Sequence, residues 1–150
     1  MEKFNYKPTK PKDASTLIIL RKNRKKTFVL MGQRPMQSRF MPGVYVFPGG
    51  VTEKEDLQAY KFFKLKPNKQ VNKKAVKSYS NSHCQSLLLT AIRETAEETG
   101  LYLAKADKSS SKPFINSESS WNDFTDKSYV PSIHKSVSYT HLTLPTISDV

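Results

Sequence analysis

The stretch from Ser86 to Gly100 constrains the fold of this chain more than any other. Leu87, Leu88, Ala91, Ile92, Thr95 and Thr99 recur at helical spacing, and a glycine follows at once. The pattern predicts an amphipathic helix over 86–99. Ser86 can cap its start, because a serine hydroxyl accepts a bond from an unpaired N–H of the first turn. Gly100 can end it in the left-handed conformation that other residues resist. Upstream, Thr16–Leu20 (TLIIL) and Thr27–Met31 (TFVLM) are short apolar runs flanking a basic turn, which predicts an antiparallel hairpin. A loop with Gly32, Pro35, Pro42 and Gly43 leads to a short strand over 44–47 and then Pro48-Gly49-Gly50. Residues 52–82 are polar, with room for one short helix; Leu101–Ala104 can start a strand, and 105–128 read as loop.

The predicted helix carries an unusual face. Glu94, Glu97 and Glu98 stand at i, i+3 and i+4 and therefore share one side. Like charges at that spacing cost roughly 0.2–0.5 kcal/mol per pair. Two of them sit in the last turn, where the helix dipole also disfavours anions. A divalent cation converts that repulsion into coordination. The ligands are hard oxygens with no His or Cys beside them, which favours Mg²⁺ or Mn²⁺ over zinc. Arg93 can pair with a neighbouring glutamate and hold it. A glutamate-rich helix face taken alone is more often simply solvated, so the rest of the constellation has to carry the case.

Arg93-Glu94-Thr95-Ala96-Glu97-Glu98-Thr99-Gly100-Leu101 resembles the second half of the Nudix box, Arg-Glu-apolar-x-Glu-Glu-x-Gly-apolar, with Thr95 where a bulkier apolar residue is usual. Gly50 and the five residues after it match the first half, whose first glutamate falls on Asp56. Asp56 and Arg93 are separated by 36 residues, where the common box has seven. Upstream, Arg34, Arg39, Gly43, Phe47, Pro48, Gly49 and Gly50 resemble the pattern of coenzyme A-directed members, with Pro35 where Ser or Ala is usual. The acyl-coenzyme A diphosphatase-like subgroup is also similar in having an aspartate at the position of Asp56 and an insertion after it.

The resemblance implies an α/β fold, an α/β/α sandwich around a mixed sheet, here C-terminally truncated. It implies metal-dependent hydrolysis of a pyrophosphate bond in a nucleoside-diphosphate-linked substrate, coenzyme A or acyl-coenzyme A first, nucleotide sugars or other nucleotides second. Catalytic roles fall on Arg93, Glu94, Glu97 and Glu98, with the three glutamates as ligands to Mg²⁺ or Mn²⁺. Substrate binding falls on Arg34, Arg39, Gly49 and Gly50, where guanidinium groups suit phosphate and glycines permit close approach. His83, His134 and Trp121 have no evident partners in the sequence.

Residues 1–136 read as one partial domain with a lysine-rich insertion at about 57–82. The tail is different. Val137–Thr146 (VSYTHLTLPT) resembles a translated sequencing adapter, so 137–150 read as non-native.

The bulk numbers bound the alternatives. The 150 residues suffice for one domain, and 37% hydrophobic content leaves part of it as loop. No apolar run approaches the roughly 20 residues that span a bilayer. The polar start, Met1–Pro11, has no signal-peptide core. Cys84 is the single cysteine, which suits a reducing, cytoplasmic setting. The net charge of +12 raises nucleic acid as a partner. The basic residues are spread out, however, as in Arg21–Lys26 and in Lys61–Lys77, and no aromatic platform accompanies them. Solvated lysines come first, a polyanionic small molecule second, nucleic acid third. The rivals to an enzyme are thus a basic nucleic-acid-binding module, or an inactive fragment that keeps the motif.

Overall fold

A computed structural model describes residues 11–39, 41–67, 80–107, 114 and 118–133. The helix expected at 86–99 is there and longer. It spans Asn81–Thr99, and its cap is Ser80, whose hydroxyl accepts a bond from the His83 N–H at 3.3 Å. Ser86 is not the cap. It is buried one turn inside, donating to the His83 carbonyl at 2.8 Å. The first turn is hidden in the sequence because its residues, Asn81 to Gln85, include no aliphatic side chain to extend the stripe. At the other end Gly100 takes φ 70°, and its N–H reaches the Ala96 carbonyl at 2.9 Å, as expected for a glycine stop.

Eight short strands and three helices make up the α/β chain among the described residues. β1 (Ala14–Thr16) pairs antiparallel with β6 (Gly49–Val51), Thr16 opposite Gly49. β2 (Leu20–Asn23) and β3 (Lys26–Val29) form the expected hairpin, although Arg21, Lys22 and Lys26 lie in its strands and only Arg24 and Lys25 make the turn. β4 (Gly32–Gln33) pairs with β5 (Tyr45–Val46), and β7 (Ala104–Ala106) with β8 (Tyr129–Pro131). Every pairing among the described residues is antiparallel and two-stranded.

The core lies on the helical side. The helices are α1 (Lys54–Phe62), α2 (Asn81–Thr99) and α3 (Asn122–Asp126). Ala59 and Phe63 from α1 and its end, Leu89, Ile92 and Ala96 from α2, and Phe114, Trp121, Phe124 and Ile133 form one buried cluster. Two sequence expectations change here. The start of the lysine-rich insertion is not merely a polar stretch, since Ala59 and Phe63, one helical turn apart, pack against α2. Nor is 105–128 simply loop: Trp121 is 0% exposed and Phe124 1%, with ring centroids 4.9 Å apart. Sparse apolar residues in a polar stretch can still be core when each is a large ring. Lys69, Lys73, Lys74 and Lys77, His134 and the tail 137–150 lie outside the described residues. No helix among those described is long and apolar enough to cross a membrane.

Candidate active site

The site is organised around a carboxylate that never meets solvent. Asp56, on the first turns of α1, is 0% exposed. Its Oδ1 accepts from Arg93 Nε at 2.9 Å and from Trp121 Nε1 at 3.1 Å. Its Oδ2 accepts from Thr90 Oγ1 at 2.8 Å, Arg93 Nη2 at 3.2 Å and the Glu53 N–H at 3.0 Å. A buried anion so surrounded satisfies the rule that interior charge be both paired and hydrogen-bonded.

Arg93 carries the arrangement outward. It is 2% exposed and projects from α2. Two of its nitrogens grip Asp56, and Nη2 also donates to the Val51 carbonyl at 3.0 Å, tying the guanidinium to β6. The remaining Nη1 lies 3.0 Å from Glu94 Oε1 and 3.1 Å from Glu97 Oε1. Burial alone would depress the guanidinium, but the bond and charge of Asp56, then those of Glu97, hold it above its ordinary value. Arg93 is therefore a permanent cation that fixes two glutamates.

The glycine turn meets the same face. The Gly49 N–H donates to Glu98 Oε2 at 3.2 Å. Gly50 touches Glu94 so closely that a Cβ there would occupy the carboxyl group's place. The Glu94 carboxyl is raised above the usual carboxylate range, first by burial, against the pull of Arg93, with Glu97 and Glu98 adding to the rise. Arg93 thus gathers Glu94 and Glu97, while the Gly49 N–H holds Glu98 and Gly50 abuts Glu94. Among the described residues, no three His, Cys, Asp or Glu side chains gather as a ready-made ligand group. The oxygen-only donor set and the glycine cradle at Glu94 fit a hard cation, and these three glutamates are the residues that could hold one.

Arg34 and Arg39 lie on the loop between β4 and β5. The Arg34 backbone is fixed across that loop, donating to Val44 at 3.0 Å and accepting from Gly43 at 3.1 Å, and its side chain is half-buried. Arg39 is exposed and makes no hydrogen bond or ion pair among the described residues. The loop leads through β5 to Gly49 and Gly50.

Thr90, Trp121 and the bonding role of Asp56 go beyond what the sequence motifs point to. Thr90 does leave a signal, since it precedes Arg93 by three and shares its helix face. Trp121 stands in a stretch with no periodicity and leaves no comparable one. His83 is no orphan either: its Nε2 lies 3.3 Å from Asp13 Oδ2.

No family model matches the chain, and no curated protein does. Among solved structures, a NUDIX hydrolase from Alicyclobacillus acidocaldarius superposes with a TM-score of 0.51 at 28% identity, covering 67% of this chain. The chain is thus similar in structure to a NUDIX hydrolase. It spans 42% of that neighbour's length. The likeness agrees with the motif resemblance, and the two separated segments that carry it, Gly50–Asp56 and Arg93–Leu101, come together through the Asp56–Arg93 pair.

Proposed function

We propose that the chain carries the catalytic segment of a metal-dependent hydrolase of the Nudix family, built on an α/β/α sandwich. Its reaction would be cleavage of a pyrophosphate bond in a nucleoside-diphosphate-linked small molecule, with coenzyme A or an acyl-coenzyme A as substrate. The observation that carries this reading is the buried Asp56–Arg93 pair, which presents Glu94 and Glu97 beside the Gly49–Gly50 turn.

In this reading Glu94, Glu97 and Glu98 hold Mg²⁺ or Mn²⁺. When bound, the ion supplies charge neutralisation at the phosphoryl oxygens and acidifies a bound water. Arg93 keeps two of the carboxylates oriented before substrate arrives, so little reorganisation is left for the reaction itself. Gly50, lacking a side chain, leaves room for the Glu94 carboxylate. Water adds to one phosphorus and the bridging oxygen leaves with the other, giving adenosine 3′,5′-bisphosphate and a phosphopantetheine from coenzyme A. Arg34 and Arg39 supply guanidinium groups suited to a phosphate monoester. The free, buried Cys84 accords with a cytoplasmic setting.

The test is hydrolysis of coenzyme A, dephospho-coenzyme A and a nucleotide sugar with Mg²⁺ or Mn²⁺, by wild type and Glu97→Gln. Coenzyme A should be cleaved fastest, EDTA should abolish turnover, and Glu97→Gln should reduce it by about two orders of magnitude or more. Turnover that survives both EDTA and the substitution refutes the metal reading. Preference for the nucleotide sugar refutes the coenzyme A assignment.

A further inference from the structure

The buried acid at the centre of the site receives a bond from outside both halves of the motif. Trp121 lies 65 positions beyond Asp56 in the sequence, yet its Nε1 donates to Asp56 Oδ1 at 3.1 Å. That oxygen is the one held by Arg93 Nε at 2.9 Å. The indole has no freedom to choose another partner. It is 0% exposed and boxed by Phe63 and Phe124, with ring centroids 6.0 and 4.9 Å away. Trp121 immediately precedes α3, which together with β8 is tied to β7 by the β7–β8 pairing.

We infer that Trp121 is a positioning residue for the glutamate cluster, acting through Asp56 and Arg93. The geometry gives the reason. A carboxylate gripped by a guanidinium fork can rotate about its χ2 angle and carry the fork with it. Donors from three other directions prevent this: Thr90 from α2, the Glu53 N–H from the start of α1, and Trp121 from the segment after β7. Of these, Trp121 and Arg93 Nε share Oδ1, so the indole fixes the oxygen that sets the Nε side of the fork. The opposite corner of the same planar group, Nη1, holds Glu94 and Glu97. Because the guanidinium is rigid, a tilt at Nε is transmitted to Nη1. The indole N–H is therefore a bond whose loss is felt at the carboxylates without touching them. Metal ligands depend in this manner on the groups that hold them. The catalytic consequence rests on the functional reading above; the positional one does not.

The chain has a single tryptophan, so changes at Trp121 are free of background. Trp121→Phe removes the N–H and keeps a ring. Phe124→Leu is the packing control, since Phe124 is 1% exposed and stacks near the indole but is a hydrocarbon side chain. Two quantities are read well below each variant's Tm: Mn²⁺ affinity, from the free-ion electron paramagnetic resonance signal, and hydrogen exchange of the Arg93 Nε–H by ¹⁵N NMR. Trp121→Phe should weaken Mn²⁺ binding about tenfold and speed the Nε–H exchange. Phe124→Leu should lower Tm and leave both quantities near wild type. If Trp121→Phe lowers Tm and leaves both unchanged, the indole is only a core side chain and the inference falls. Should Trp121→Phe not fold, replacing the tryptophan biosynthetically with benzothienylalanine, which has sulfur in place of N–H, gives the same two readings in an unchanged shape. A wild-type chain that binds no Mn²⁺ refutes the functional reading. Exchange of the Nε–H then decides alone: faster in the N–H-less protein supports the positioning role, unchanged overturns it.

Discussion

Asp56→Asn should cost this protein more stability than any surface charge it has. The substitution is nearly isosteric, so its effect isolates charge and bonding. Asp56 presents two acceptor oxygens, 0% exposed, to Arg93 Nε and Nη2, Thr90 Oγ1, Trp121 Nε1 and the Glu53 N–H. An asparagine keeps one acceptor and turns the other into a donor. Whichever way the amide lies, its NH₂ faces at least one N–H of Arg93. The guanidinium, 2% exposed, then loses its buried counter-charge, and Glu94 and Glu97 reach only its other corner. Removing one partner of a buried ion pair costs about 3–5 kcal/mol. At roughly 4 °C per kcal/mol for a domain of this size, Tm should fall by about 12–20 °C. Asp13→Asn is the control. Its side chain is 47% exposed and its partner is His83, so it should cost no more than about 1 kcal/mol. Urea unfolding followed by far-ultraviolet circular dichroism measures both. A loss below about 1 kcal/mol at Asp56 would show that the carboxylate is not the organising group, and the account of the site built on it would fail.

Two further outcomes follow from the same geometry. At Gly49 an added Cβ meets the backbone of Ser15 and Thr16, so Gly49→Ala should destabilise by about 1–3 kcal/mol; at Gly50 its nearest atoms are those of the Glu94 carboxyl, the end of a side chain, so Gly50→Ala should lower Tm less than Gly49→Ala while weakening Mn²⁺ binding, and the reverse ranking in paired melting and titration experiments would contradict the placement of the turn. Glu94 is raised chiefly by burial, so the folded chain keeps that proton to higher pH than the unfolded chain; the stability this gives is complete below the unfolded carboxylate range, near pH 4.3, and is lost as pH rises through the folded value. Glu94→Gln should flatten that decline in metal-free urea unfolding measured from pH 4 to 7, and a wild-type slope in the variant would argue against it.

What is legible in the sequence divides by the range of the interaction. Gly100 ends its helix as expected because a C-terminal stop is a local matter of one residue's φ. The hairpin and the shared face of Glu94, Glu97 and Glu98 are legible for the same reason. Ser80 and Ser86 look alike as caps because both are serines before a helical run, and what separates them is burial: Gln85 and Ser86 are 1% and 4% exposed. Asp56 is legible as a motif position but not as the acceptor of five bonds, since three of its four partner residues lie on other elements or are distant in sequence. Trp121 is illegible altogether. A lone aromatic among Ser, Asn and Asp gives no period, and its role comes from a neighbour 65 positions away.

The long interruption between the halves of the motif is tolerable on energetic grounds. Closing a loop costs more as it lengthens, but only by roughly 0.6 kcal/mol per doubling. Going from the seven residues of the common Nudix box to the 36 between Asp56 and Arg93 is a little over two doublings, about 1.4 kcal/mol. Removing one partner of the buried pair those residues separate, and so leaving the other charge unpaired, costs about 3–5 kcal/mol. Part of the interval is also not loop, because α1 continues to Phe62, with Ala59 and Phe63 in the core. A chain that keeps Asp56 and Arg93 can therefore carry a long insertion between them and still bring the glycine turn to the glutamates. The same two magnitudes identify the change the arrangement would not survive. Losing Asp56 incurs the larger of the two.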